Sequence, residues 1–212
     1  MESKEKLNEK LEFQTSFKGL LAILKERKFH KKTVYLSVSG IITILNILLL
    51  IFSKEVDYFV LLKVYTSNFL PVFVAFCGFS MTAYSLVVGF LNYGTFKTAL
   101  EEWYSKKLQD KSNTMSKYSI YQKGIALFAL TILMLLVTVI FLLITKFFVE
   151  LEIYVSCNGV LAYNAVIFYI STLLSGWCFI LVMYNIINIF TFSQNINKLV
   201  YRERENNKNT SA

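Results

Sequence analysis

Histidine is almost missing from this chain: His30 is the only one among 212 residues. Metal-dependent hydrolysis inside a bilayer needs His and carboxylate ligands at fixed spacing. His30 stands between basic residues, outside every apolar stretch, and reads as an interfacial side chain. Asp, Glu, Lys, Arg and His are all absent from residues 34–52, 69–93, 124–145 and 160–192. Proton-coupled carriers and pumps place Asp, Glu or His at membrane depth, so that class is disfavoured. The chain also has no phosphate-binding glycine loop, no dinucleotide fingerprint and no nucleophile elbow. A serine nucleophile would find no base within these stretches. An enzyme is therefore not expected, nor a cofactor or a metal.

Cysteine and proline are scarce too. Of three cysteines, Cys77 and Cys178 fall inside apolar stretches and Cys157 stands alone in a connection, so no structural disulfide is expected. Buried cysteine packs as a small apolar residue. The one proline, Pro71, is placed in the first turn of the second span, where a helix N–H lacks a partner anyway. No cleavable leader is expected, because the first apolar run begins only at Val34 and is too long.

What is present is apolar material in long blocks. The four uncharged stretches make up nearly half of the chain, and 55% of all residues are hydrophobic. A helix crosses a hydrocarbon core of about 30 Å with roughly 20 apolar residues. The sequence thus predicts an all-α membrane protein with four transmembrane helices in a bundle, spanning 34–52, 69–93, 124–145 and 161–184. Residues 1–33 form a basic segment, 34–192 the transmembrane domain and 193–212 a tail. The fourth uncharged stretch is too long for one crossing, so its helix is expected to continue beyond the membrane to about Arg202.

The net charge is +8. Only Lys54, Lys63 and Lys146 of the 22 basic residues lie in the first and third connections. The rest cluster in residues 1–33, in the central loop and in the tail, and the basic side of a membrane protein stays cytoplasmic. Both termini and the central loop are expected in the cytoplasm of a cell-membrane protein, next to anionic lipid headgroups. Orientation already accounts for the charge, so no nucleic-acid partner is expected.

Before the first span, Phe13, Phe17, Leu20, Leu21 and Leu24 share one helical face. They predict an amphipathic helix lying in the bilayer interface, or packed against the central loop. Phe96, Leu100, Trp103, Tyr104 and Leu108 predict a second, cytoplasmic loop helix ending near Gln109. Phe13, Phe17, Trp103 and Tyr104 are the candidate interfacial anchors. Alternation at Phe147–Ser156, and β-branched residues at Lys54–Thr66, allow a short outer β-hairpin.

Small and hydroxylated residues recur at helical spacing within the spans. Gly78 and Thr82, Ser85 and Gly89, Ser171 and Ser175, and Thr172 and Gly176 are each four apart. Such spacing lets helices approach closely in lipid. It serves packing within one bundle or an interface between copies. Asn46 and Asn164 are amides in hydrocarbon and need partners. Thr131, Thr138 and Thr145 form one stripe, where hydroxyls can return to backbone carbonyls.

Two functional readings follow. The first is a self-associating protein that affects membrane permeability, such as a pore-forming effector or channel. The second is a non-catalytic accessory, anchor or immunity-type subunit, whose cytoplasmic surface binds a partner. A carrier of a small apolar molecule ranks behind both. Partners are expected to be the lipid bilayer and either a second copy or another membrane protein.

Overall fold

The computed structural model of the protein describes residues 17–26, 32–52, 57–90, 101, 103–107, 109, 118–151 and 159–210. Five helices carry nearly all of them. They are α1 (Phe17–Glu26), α2 (Lys32–Phe52), α3 (Tyr58–Phe90), α4 (Ile120–Glu150) and α5 (Gly159–Thr210). Residues 103–107 are also helical. Each of α2 to α5 is long and apolar enough to cross a membrane. The molecule is thus all-helical among the described residues, with four candidate spans.

Two spans begin earlier than charge alone suggests, and caps explain why. Asp57 Oδ1 accepts from the Phe59 and Val60 N–H groups at 2.9 and 3.4 Å, which satisfies first-turn donors of α3. At the start of α4, the Ser119 hydroxyl accepts from the Gln122 N–H at 3.1 Å. The Gln122 side-chain carbonyl accepts from the Ser119 N–H at 2.8 Å. This reciprocal pair is a capping box. A Ser119→Ala variant is expected to lose about 1 kcal/mol, seen as a lower unfolding midpoint in detergent.

The early start of α3 corrects two expectations. Pro71 lies in the interior of the helix, not in its first turn. It therefore costs one backbone hydrogen bond and crowds the carbonyl of Ser67. The outer strands also fail where the residues are described. Residues 58–66 belong to α3 and 147–150 to α4, with Leu151 in a turn. Apolar helices simply extend through these segments, and Lys146 pairs with Glu150 one turn on, at 3.5 Å. Residues 53–56 and 152–158 lie outside the described set.

The chain divides into two compact units. One draws on residues 30–81 and 131–183. Its core comprises Phe73 and Cys77 of α3, Leu135 and Leu142 of α4, and Cys178 and Val182 of α5. The aromatic rings of Tyr65, Phe69, Phe73, Phe76 and Phe179 pack in sequence, with centroids 4.5–6.4 Å apart. The other unit draws on residues 1–29, 82–130 and 184–212. Its core joins Ala83, Val87 and Phe128, with Ile125, Ile189 and Phe192 against them. Ile23 and Leu24 of α1 are buried, whereas Leu21 is exposed. The buried face of α1 is thus displaced from the one expected, where Leu21 and Leu24 lay together.

Along α4 the buried residues Phe128, Thr131, Leu135, Thr138, Leu142, Thr145 and Val149 alternate steps of three and four. That is a heptad seam, the spacing of knobs-into-holes packing. The threonine stripe is inside, and Thr138 and Thr145 return their hydroxyls to the Met134 and Phe141 carbonyls at 2.9 Å. By contrast, no residue of the α2 stretch Thr33–Ile51 is buried, against 28–33% in the other three spans. Three helices build the interior of that unit, and α2 lies outside it.

Candidate functional site

The small and polar residues singled out from the sequence separate into an inward set and an outward set. The inward set joins helices within one chain. Gly176 of α5 faces α2: a Cβ there would run into Ile42 Cδ1 and come within 3.3 Å of Val38 Cγ1. Glycine fits here because α2 side chains occupy that space, and a larger side chain would have to push them aside. Around it runs a polar clamp between the two helices. The Trp177 indole N–H donates to Ser39 Oγ at 3.0 Å. Asn46 Nδ2 donates to Thr172 Oγ1 at 3.3 Å and to its own helix at the Ile42 carbonyl, 2.9 Å. Thr43 Oγ1 gives its proton to the Ser39 carbonyl, so the Tyr169 hydroxyl, 3.0 Å away, donates to it.

Among the described residues, this clamp ties α2 to α5. Between helices in lipid there is no hydrophobic driving force, so close packing and hydrogen bonds decide association. Each interhelical hydrogen bond is worth about 0.6 kcal/mol on average. Three of them, with the Gly176 approach, are a slender attachment for a span that buries none of its residues. Asn46 thus has its partner. Asn164 is half-buried and takes no part in the clamp.

Ser171 and Ser175 are also inside. The Tyr65 hydroxyl of α3 donates to Ser175 Oγ at 2.6 Å. The Ser171 hydroxyl returns to the Ile167 carbonyl at 2.8 Å. The Cys178 thiol lies 3.1 Å from Thr138 Oγ1, whose proton is already given to Met134, so the thiol donates. These contacts satisfy polar atoms within an apolar core and leave no charged group there.

The outward set lies on α3. Asn68, Pro71, Ala75, Gly78, Thr82, Ser85 and Gly89 step by three and four residues and are all exposed. They form a second heptad seam, on the face opposite the buried one. A Cβ at Gly78 or at Gly89 would meet nothing within 4 Å. Sequence reading found four of these seven residues. The other three, Asn68, Pro71 and Ala75, follow from extending the same spacing toward the start of the helix.

Of the interfacial anchors, Trp103 and Tyr104 are half-buried and their rings meet edge to face at 5.1 Å. Lys107 Nζ sits 4.9 Å from the Trp103 ring centroid, a cation–π distance. Burial pushes the Tyr104 phenol above its ordinary range, so it stays neutral at physiological pH. Phe13 lies outside the described residues. Phe17 opens α1, and its side chain is likewise outside them.

Sequence reading missed Tyr65, Tyr169 and Trp177 as hydrogen-bonding partners. A signal existed. Ser39, Thr43 and Asn46 form a stripe on α2, and aromatic residues with a polar tip need an acceptor or donor when buried. No group of three or more His, Cys, Asp or Glu side chains positioned for a metal occurs among the described residues. Compared with protein families, curated proteins and solved structures, the chain has no match.

Proposed function

We propose that this multi-pass membrane protein self-associates through the small-residue face of α3 and opens a permeability pathway in a cell membrane. One observation carries the reading: a heptad run of mostly small and polar residues from Asn68 to Gly89, every one of them exposed. In lipid, small residues at that spacing let a neighbouring helix approach closely enough for dispersion and hydrogen bonding to hold it. Many other exposed positions of the spans are large and aliphatic, such as Leu45, Leu48, Ile140, Leu143 and Ile144, and suit lipid tails. The role needs no catalytic group. In this reading both termini face the cytoplasm, with exposed Lys18, Lys25 and Lys106 among anionic headgroups, at about 1 kcal/mol for each nearby basic residue.

Self-association is tested by single-molecule photobleaching of labelled protein in bilayers. Gly78→Leu is expected to shift the distribution toward single copies at least tenfold, with an unchanged unfolding midpoint. The same step distribution in both proteins would remove the α3 face from the account.

A second reading has its own support. The buried Ile23 and Leu24 of α1 and the half-buried Trp103 give residues outside the spans an ordered surface. A non-catalytic accessory or immunity-type subunit would use that surface to hold a cytoplasmic partner. Under this reading, removing residues 1–28 abolishes function while α3 substitutions are silent.

A further inference from the structure

Asn185 of α5 is the one buried amide in the described residues whose two polar atoms both lack a partner. Its side chain is 2% exposed, and neither Nδ2 nor Oδ1 finds a hydrogen bond. It belongs to the unit whose core is Ala83, Val87 and Phe128, with Tyr84, Ile125, Ile189 and Phe192 against them; of these only Tyr84 carries a polar side-chain atom, and its hydroxyl does not pair with Asn185. A buried amide left unpaired is costly, and buried polar groups in native proteins are paired with protein or with water.

We propose that Asn185 is an internal hydration site, holding a small neutral molecule with both a donor and an acceptor: water. An amide presents both functions, and water is the smallest molecule that answers both. An ion is a poor occupant, because no Asp, Glu, Lys, Arg or His of α5 stands between Ala162 and Gln194 to neutralise it. The route in runs along α5 itself. Polar residues recur at Asn185, Asn188 and Thr191, and their exposure rises from buried through half-buried to exposed. Each step is one turn nearer the end of the apolar stretch at Gln194. The inference is independent of self-association, since the site lies within one chain.

Water-edited solid-state NMR of the full-length protein in lipid bilayers tests it. Polarisation from water is expected to reach the Asn185 side chain as quickly as that of exposed Gln194, and at least threefold faster than that of buried Leu127. Build-up at Asn185 as slow as at Leu127 would overturn the proposal. An Asn185→Leu variant gives a second, separate reading by its sign. If the amide is hydrated, the variant unfolds at the same or a lower temperature. If the amide is truly unpaired, replacing it with an apolar side chain raises the midpoint, and the hydration site is wrong. Fast build-up together with ion-tight vesicles would leave this site standing and remove only the permeability reading.

Discussion

A Gly176→Leu substitution is expected to detach α2 and destabilise the protein by about 3 kcal/mol, at the upper end of overpacking costs. The reason is local. The first atom of any side chain at this position already meets Ile42, and Val38 Cγ1 would lie 3.3 Å from it. Ile42 meets it with its terminal methyl, which can turn aside. Gly176→Ala is therefore expected to cost less than 1 kcal/mol, on the order of a small packing adjustment. Leucine adds three more carbons that cannot be cleared in this way. Separating the helices would also release the Trp177–Ser39 and Asn46–Thr172 hydrogen bonds. Thermal unfolding in detergent separates the two variants. Equal midpoints for wild type, alanine and leucine would mean that α2 and α5 do not meet at Gly176.

Phe73→Ala is expected to be the more damaging change, with a loss of about 3–5 kcal/mol. Phe73 has no exposed surface and sits among Phe69, Phe76 and Phe179. The surrounding rings belong to two helices and cannot all close on the space left behind. Lipid tails do not replace them, because the site faces away from the bilayer. A fall in folded yield and in the unfolding midpoint, with Phe79→Ala nearly silent, would fit this account. Phe79 is half exposed and is the built-in control.

The sequence made part of this visible, and physical reasons mark where it stopped. Periodicity identifies which residues share a helix face. It does not say whether that face points to protein or to lipid, since leucine suits both. Gly78 and Gly176 looked alike in the sequence, each a glycine near a hydroxyl at helical spacing. One is open and the other is wedged against Ile42. The near-absence of buried residues in α2 was illegible for the same reason. Span boundaries failed differently. Lys63 and Lys146 were taken as breaks, but long aliphatic stems let lysines remain within an apolar helix while their heads reach outward. The caps at Asp57 and Ser119 were legible and would have placed both starts. The threonine stripe of α4 was readable throughout, because Thr131, Thr138 and Thr145 keep strict sevenfold spacing.

Gly176 belongs to intrachain packing, so a change there cannot separate loss of folding from loss of assembly. Gly78 can. The central claim is tested most directly by ion and dye release from liposomes that contain only this purified protein, wild type beside Gly78→Leu. Release by the wild type, reduced at least tenfold in a Gly78→Leu protein that inserts and unfolds normally, is the expected result. Equal release from both would contradict assembly through α3, and vesicles that stay tight with correctly inserted wild type would contradict a permeability pathway made by this chain alone.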